Sequence, residues 1–241
     1  MLKILSNVSY ISARILANEV KKLGEECLSV RNPIRIDKDD LVIRYGSTAI
    51  HSGTNTLNSI EMIRVCSNKL VFSKVMQEND IYSPVFCTGF PEKYPIIVRT
   101  TLNSFGGKGM IFVGNKDTFN YPDAYWTPYI ETDFELRVHV LGGEIVKIFR
   151  KEGGDSYIRT LNYGWHFSLK DIKLYPKVIS VVKKIFSIPM FATSFMALDL
   201  GWDSKRKEYV VFEGNSAPGL NEYTATLYAK YILDKINSTY R

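Results

Sequence analysis

The sequence predicts an α/β protein in which a small parallel lobe precedes antiparallel α+β parts. Residues 1–46 order their apolar segments as strand, helix and strands, which is typical of a parallel sheet. Farther along, pairs of apolar runs are joined by short glycine-rich or polar segments, the pattern of β-hairpins. With 241 residues the chain can bury a sizeable core. We therefore expect two compact lobes rather than several full domains.

Composition indicates a folded protein with an anionic partner. The chain is 45% hydrophobic and 23% charged, and its formal net charge of +6 suits a nucleotide, an acidic peptide or a nucleic acid. Lysine and arginine form no dense run, so nucleic acid is the least favoured of these partners. The N-terminus lacks a signal-like apolar run and no segment approaches ~20 apolar residues, which predicts a cytoplasmic protein without a membrane partner. Three scattered cysteines argue against disulfides and zinc.

The N-terminal lobe is predicted to hold strands at residues 3–6, 27–30 and 40–45 and a helix at 12–23. The buried face of that helix is predicted from an apolar stripe, namely Ile11, Ile15, Leu16, Val20 and Leu23. The loop after the first strand, residues 7–10, has no glycine, so the dinucleotide-binding fingerprint is absent.

The next segment is predicted to be mainly helical. Residues 51–57 are expected to be a polar loop, and residues 59–66 a short helix. Ser67 is the expected N-cap of a second helix at 68–79. A strand is expected at 85–88.

Residues 96–113 carry the first chemical signal, two apolar runs around the glycine-rich segment 103–109. Glycines permit backbone angles that turn amide N–H groups towards a phosphate, and Arg99 and Lys108 add positive charge. The spacing is not that of a P-loop. A plain glycine-rich hairpin remains an alternative for this segment alone.

Residues 134–141 are predicted to form a strand with Glu135, Arg137 and His139 on one face and apolar residues on the other. Gly142-Gly143 turns this strand into a second one at 144–150. The charged face borders either solvent or a ligand cleft, and the pattern alone leaves both open. Apolar stripes predict helices at 176–186 and 222–236.

The strongest signal is a predicted hairpin of strands at 195–200 and 209–215 with its turn near Arg206. If Asp199 pairs with Glu213, alternation places Asp199, Glu213 and Asn215 on one face. Two carboxylates and an amide oxygen form a hard, oxygen-only set suited to Mg²⁺. The alternative is that these are ordinary charges on a solvated face. Both acids lie in apolar strands, where a buried carboxylate needs a partner.

Taken together, these pieces resemble the ATP-grasp superfamily over most of the chain. The likeness is greatest to the peptide-glutamate ligases that act on ribosomal protein tails and to related carboxylate-amine ligases. The residues that carry it are Asn68-Lys69, the glycine-rich segment 104–110, the strands 135–140 and 143–150, residues 159–162, Asp199, and residues 213–219. Each motif alone is weak, but their joint order and spacing are specific.

The resemblance implies a role for individual residues. ATP would be held by Lys69, Arg99, Ser104, Gly106, Gly107, Lys108, Tyr129, Ile130 and Glu135, with Glu135 at the ribose and 129–130 at the adenine. The metal ligands would be Asp199, Glu213 and Asn215. The residues facing the transferred phosphate and the acyl substrate would be Arg137, Arg150 and Asn162. Two positions depart from the family, which usually has lysine at Arg99 and a branched apolar residue at Gly214; the glycine is expected to loosen its strand.

The same resemblance implies an ATP-grasp fold with a pre-ATP-grasp lobe at 1–66, a central subdomain at 67–128 and a C-terminal subdomain at 129–241. It implies an ATP-dependent carboxylate-amine ligase that works through an acyl phosphate, with two Mg²⁺ ions for which Mn²⁺ can substitute. A kinase of the same architecture and a non-catalytic anion-binding module remain alternatives. The short N-terminal lobe is expected to leave one side of the cleft open or completed by another chain, as in a homo-oligomer. It favours an acidic peptide or protein as substrate, although the charge can equally reflect phosphate binding and solubility.

Overall fold

Strands form three sheets in the computed structural model, within the described residues 1–103, 106–169 and 176–240. The strands are β1 (Leu2–Leu5), β2 (Cys27–Val30), β3 (Leu41–Arg44), β4 (Thr54–Leu57), β5 (Ile96–Arg99), β6 (Met110–Val113), β7 (Tyr125–Pro128), β8 (Glu135–Leu141), β9 (Glu144–Glu152), β10 (His166–Ser168), β11 (Phe195–Asp203) and β12 (Glu208–Asn215). The helices are α1 (Tyr10–Lys22), α2 (Ile60–Ser67), α3 (Lys69–Glu78), α4 (Pro176–Phe186) and α5 (Glu222–Tyr240). None of these helices is long and apolar enough to cross a membrane.

The first sheet has the order β2-β1-β3-β4 and is parallel throughout, which confirms the predicted parallel lobe. The prediction of a loop at 51–57 was wrong, because β4 lies within it. Three of the four β4 residues are polar, and the first two are exposed, so the strand shows no apolar periodicity. The strand β4 forms because its backbone pairs with that of β3.

Helix α1 buries a different face from the predicted one. Ile11 is 75% exposed and Leu23 is 42% exposed, whereas Ala13 and Ala17 are buried. The reason is that α5 packs against α1, and small residues allow two helices to approach closely. Leu16 and Val20 are buried as predicted.

The second sheet is antiparallel with the order β6-β5-β7, which confirms the strand–loop–strand reading of residues 96–113. The strand expected at 85–88 is reduced to a single bridge between Cys87 and Trp126 of β7. The N-cap of α3 is Asn68, whose Oδ1 accepts from the Leu70 and Val71 N–H groups. Ser67 is instead the last residue of α2.

The third sheet is antiparallel with the order β10-β9-β8-β11-β12, and its two faces differ. One face is covered by α2, α3 and α4 in an apolar core that includes Met62, Phe72, Val138, Val182 and Leu198. The predicted boundary after residue 66 falls within α2, and α2 and α3 share this core. The other face packs at one end against α5 and the parallel lobe, through Leu141, Phe195 and Tyr228. The rest of that face borders a cleft.

Candidate active site

A cleft of about 440 Å³ lies between the second sheet and the third. Its size is that of an ordinary small-ligand site. The structure brings most of the predicted site residues to its walls: Lys69, Arg99, Gly106, Gly107, Tyr129, Ile130, Glu135, Arg137, Asn162, Asp199, Glu213 and Asn215. Lys108 is exposed and is not among the lining residues. Ser104 lies outside the described residues.

Arg150 is the predicted catalytic residue that the structure does not bring into the cleft. It pairs with Leu136, and its guanidinium carbon lies 5.1 Å from the centre of the Phe134 ring. Strand β9 contains a β-bulge, because His139 pairs with Lys147 while Val140 pairs with Ile145, leaving Val146 without a partner. One extra residue reverses which side chains face the cleft. Lys151, opposite Glu135, therefore occupies the cleft in place of Arg150.

The hairpin β11–β12 has the predicted register, with Asp199 opposite Glu213. Asn215 pairs with Ala197, so all three predicted metal ligands share one face. A second bulge follows, since Leu200 pairs with Val211 and Phe212 is left over; Phe212 lines the cleft. Strict alternation in the sequence did not predict that Phe212 lines the cleft.

Gly214 does not interrupt its strand, contrary to the expected loosening. It pairs with Leu198 inside a regular part of β12. A Cβ atom there would lie 2.7 Å from Phe72 Cε2 and 3.2 Å from Cys66 Sγ. The Phe72 ring of α3 fills the space that a branched side chain would otherwise take.

A buried ion network occupies the floor of the cleft. Arg137 donates from Nε and Nη2 to the two oxygens of Asp199 at 2.7 and 2.8 Å, and Lys151 Nζ donates to Asp199 Oδ2 at 3.1 Å. Lys151 also donates to Glu135 Oε2 at 2.9 Å. Burial alone would raise the pKa of Asp199, but Arg137 and Lys151 hold that pKa well below its usual range. The carboxylate is therefore ionised throughout the physiological range.

Beside this network, two further cations border the cleft. Lys69, the first residue of α3, lies 3.3 Å from Glu213 Oε2. Arg99, at the end of β5, is 7% exposed, and its Nε and Nη1 atoms have no hydrogen-bond partner among the described residues. Burial lowers the pKa of Arg99 to about 10, although the nearby Glu213 opposes the shift. Buried donors of a charged group are costly to leave unbonded, so this guanidinium is suited to receive an anionic ligand.

The glycine-rich segment is called the flap, and the structure describes its residues 106–109. This part packs against the loop that follows β9. The Gly106 carbonyl accepts from Asn162 Nδ2 at 2.7 Å and from Thr160 Oγ1 at 3.2 Å. Gly107 has a φ of 76°, and a Cβ atom there would lie 2.9 Å from Thr160 Cγ2. Glycine is therefore required by both the backbone conformation and the close approach.

Two tyrosine rings, Tyr129 and Tyr157, line the cleft and pack against Phe112. Phe112 of β6 stacks on Tyr157 with ring centres 4.0 Å apart and planes 10° apart. Tyr129 meets Phe112 edge-on at 5.2 Å, and its N–H donates to the Pro95 carbonyl. The backbone N–H of Tyr129 is therefore already hydrogen-bonded within the protein. Flat apolar walls of this kind suit a planar ring of a ligand.

The predicted metal ligands retain room for a cation. A carboxylate accepts about four hydrogen bonds, and Asp199 receives three, leaving capacity on Oδ1. Asn215 Oδ1 accepts one, from the Ala217 N–H. Among the described residues, Glu213 is held by ion pairs to Lys69 at 3.3 Å and Arg137 at 4.0 Å. Each residue can still offer an oxygen, which is the donor type that Mg²⁺ requires.

Comparison with known proteins identifies the fold. Neither a protein-family model nor a curated protein sequence matches the chain. Solved structures do match it over nearly its whole length. A RimK domain ATP-grasp protein from Sphaerobacter thermophilus has a TM-score of 0.67 at 14% identity, covering 96% of this chain and 99% of that one. The ATP-grasp ligase PsnB, complexed with a minimal precursor, has a TM-score of 0.71 at 9% identity, covering 97% and 99%.

A third match, the D-cycloserine synthetase DcsG, has a TM-score of 0.71 at 10% identity and covers 98% of this chain and 99% of that one. The protein therefore has the ATP-grasp fold, as its motifs predicted. Lining residues to which the sequence assigned no role include Lys151, Phe212, Tyr157 and Arg159, although Arg159 belongs to the motif at 159–162. Two of these depend on bulges. Tyr157 and Arg159 lie in a loop with no periodic pattern to place them.

Proposed function

We propose that this protein is an ATP-dependent carboxylate-amine ligase. The observation that carries the proposal is the buried Arg99 guanidinium at the wall of the cleft, which has two donors with no hydrogen-bond partner in the part of the chain that the structure describes. Lys69, Arg137 and Lys151 line the same cleft. Cations of this kind bind the phosphate oxygens of a nucleoside triphosphate. Further support comes from a structural neighbour that is named as an ATP-grasp ligase, PsnB.

The proposed reaction has two steps. A substrate carboxylate oxygen bonds to the terminal phosphorus of ATP while the bond to ADP breaks, giving an acyl phosphate. An amine nitrogen then bonds to the acyl carbon, phosphate leaves with the electron pair, and the nitrogen loses a proton. Lys69 and Arg99 would bind phosphate oxygens, and Arg137 and Lys151 would neutralise charge on the transferred group. Phosphoryl transfer depends chiefly on this kind of positioning and charge stabilisation.

Asp199, Glu213 and Asn215 would hold Mg²⁺, with two ions bound in all and Mn²⁺ able to substitute. The ion would supply further positive charge at the phosphates. We also assign the adenine to Tyr129 and Ile130 and the ribose hydroxyls to Glu135. The flap, with Gly106, Gly107 and Lys108, would close over the phosphates, and Asn162 would face the acyl group. The corresponding domain limits are 1–66, 67–128 and 129–241.

The substrate is proposed to be an acidic peptide or protein. The net charge of +6 favours an anionic partner, and PsnB was solved with a minimal precursor. Long-range attraction is screened by salt. The apparent affinity for an acidic peptide should therefore weaken steeply between low and high ionic strength, well beyond any weakening for ATP. Equal salt dependence for the two would contradict an acidic substrate.

The direct test is to incubate the protein with ATP, Mg²⁺ and candidate acids and amines. ADP release and a new amide, detected by mass spectrometry, should appear together. The control is Glu213→Gln, which keeps the side-chain shape but removes one charge. It should melt near the wild-type temperature and release ADP on the order of 100-fold more slowly. A stable phosphorylated product without an amide would instead support a kinase, and absence of ADP release would contradict both enzymes.

A further inference from the structure

The cleft face of the third sheet continues past the proposed phosphate site onto a second surface. On β9, Phe149 and Lys147 follow Lys151 at alternate positions, so all three share that face. Phe149 pairs with Arg137, and Phe167 of β10 lies beside it with ring centres 6.1 Å apart. We call Phe149, Phe167, Lys147 and Tyr223 of α5 the distal shelf.

The distal shelf is continuous with the proposed reaction centre. Phe167 lines the cleft itself, and the Arg137 guanidinium carbon lies 4.5 Å from the centre of its ring. Arg137 is also the residue that binds Asp199. A substrate group held at Arg137 would therefore have the rest of its structure in contact with the two phenylalanine rings.

Lys147 marks the end of the shelf. Its ammonium lies 4.8 Å from the centre of the Tyr223 ring and 5.9 Å from that of Phe149. Within the described part of the chain no carboxylate lies within ion-pair distance of it. Tyr223 is 61% exposed, so this end is open to solvent. Aromatic faces hold a cation in place while leaving its N–H donors available to an anion.

We propose that the distal shelf recognises a second carboxylate on the carboxylate substrate. The proposal rests on the ligase function proposed above and names its substrate class: a peptide-sized dicarboxylate with an apolar stretch between its two acidic groups. Lys147 lies two residues along β9 from Phe149 and four from Lys151. At about 3.3 Å per residue, the two carboxylates should be roughly 7–13 Å apart. Lys147 is then a specificity-determining residue.

The test uses linear dicarboxylates of increasing length and the monocarboxylate of each chain length. Hydroxylamine replaces the natural amine: its nitrogen attacks the acyl carbon, phosphate leaves, and a hydroxamate forms after loss of a proton to solvent. Dicarboxylates that span 7–13 Å should have an apparent KM at least about tenfold below that of the matching monocarboxylates, the effect of one charge-assisted hydrogen bond. Shorter dicarboxylates should show no such advantage.

Lys147→Met should remove this advantage without changing the KM for ATP or for the monocarboxylates, and Lys147→Arg should keep it. Lys230→Met, which removes an exposed lysine from α5, is the matched control and should behave as wild type. Thermal melting checks that the variants fold. An unchanged advantage in Lys147→Met would overturn the proposal, as would its absence in the wild type.

If no carboxylate gives a hydroxamate, the ligase function itself is wrong, and direct binding still decides the role of Lys147. Calorimetric titration of the dicarboxylates that span roughly 7–13 Å, with a non-hydrolysable ATP analogue present, should then show weaker binding to Lys147→Met than to wild type. Equal binding, or no binding to either, would overturn the shelf proposal.

Discussion

Arg150 and Lys151 are adjacent basic residues whose side chains lie on opposite faces of β9. Only Lys151 lines the cleft, where it contacts Asp199 and Glu135. We predict that Lys151→Met lowers the rate of substrate-dependent ADP release on the order of 100-fold, because a charge contact to the transferred phosphate is lost. Arg150→Met should stay within a few-fold of wild type. Steady-state kinetics of both variants test this.

The pair of variants also tests the bulge at Val146. Without that extra residue, Arg150 would pair opposite Glu135 and point into the cleft. Equal losses in the two variants, or a larger loss in Arg150→Met, would contradict the register. Melting temperatures should be measured in parallel, since Asp199 keeps Arg137 as a partner when Lys151 is removed.

His139 is a buried residue whose ionisation is linked to stability. Burial lowers the pKa of His139 from 6.5 to about 4, and Nδ1 shares a hydrogen bond with the Tyr228 hydroxyl at 2.9 Å. Between these pH values the unfolded chain binds a proton that the folded chain does not. The free energy of unfolding should therefore keep its full value above pH 6.5 and fall by about 3 kcal/mol as the pH drops to 4. Urea unfolding across this range measures it.

The matched variants are His139→Gln and His166→Gln. Glutamine at 139 can still bond to Tyr228 but cannot titrate, so it should remove most of this pH dependence. His166 is exposed, and replacing it should leave the slope intact. A slope that survives in His139→Gln would assign the pH dependence to another group.

At the scale of elements, the hairpin β11–β12 was predictable because alternation alone fixes which side chains share a face. The pairing of Asp199 with Glu213 followed from the position of the polar turn. The bulges at Val146 and Phe212 were not predictable, because nothing in either sequence segment marks the extra residue. Helix α1 shows the same limit: the partner helix α5, which selects its buried face, is about 200 residues away in sequence.

The flap contacts the loop after β9 through hydrogen bonds to the Gly106 carbonyl. Asn162 and Thr160 both donate to the Gly106 carbonyl, and Tyr157 stacks on Phe112 of β6 in the second sheet. We predict that Asn162→Ala raises the KM for ATP several-fold and speeds hydrogen exchange at residues 106–109, because the flap loses its 2.7 Å bond. Hydrogen exchange with and without an ATP analogue measures the second effect.

Asn120→Ala is the control, since Asn120 lies between β6 and β7 of the second sheet. It should leave both quantities unchanged. In the wild-type protein, the flap should exchange more slowly when the analogue is bound. Equal exchange with and without the analogue would contradict a role of the flap in closing over phosphate.

At the scale of the whole molecule, the two larger apolar cores do not follow the limits of the three sheets. Of these two, the core behind the cleft joins α2, α3 and α4 to the third sheet, and the second joins the parallel lobe to α5 and to Leu141 and Phe195. Two smaller clusters stay within the parallel lobe and within the second sheet. Sequence order suggested separate units because each sheet is built from a contiguous segment. Packing between distant segments, such as α1 with α5, could not be inferred from local periodicity.

Phe195 lies where the parallel lobe meets the third sheet. Its ring is 5.9 Å from that of Tyr45 in the segment after β3 and 5.4 Å from that of Tyr228 in α5. Asn58 also bonds to both the N–H and the carbonyl of Phe195, at 3.0 and 3.1 Å. If these contacts make the lobe and the sheet one cooperative unit, weakening them should lower the stability of both parts equally.

We predict that Phe195→Ala lowers the free energy of unfolding by about 3–5 kcal/mol, the usual cost of removing a buried phenylalanine ring. All three tryptophans, Trp126, Trp165 and Trp202, lie outside the parallel lobe, so their fluorescence reports on the rest of the chain. Amide exchange in β1 and β3 reports on the lobe. Both measurements should shift by the same free energy, whereas Phe90→Ala, at a side chain 76% exposed, should shift neither. A lobe that opens while the tryptophan signal keeps its wild-type midpoint would show that the shared core does not couple the two.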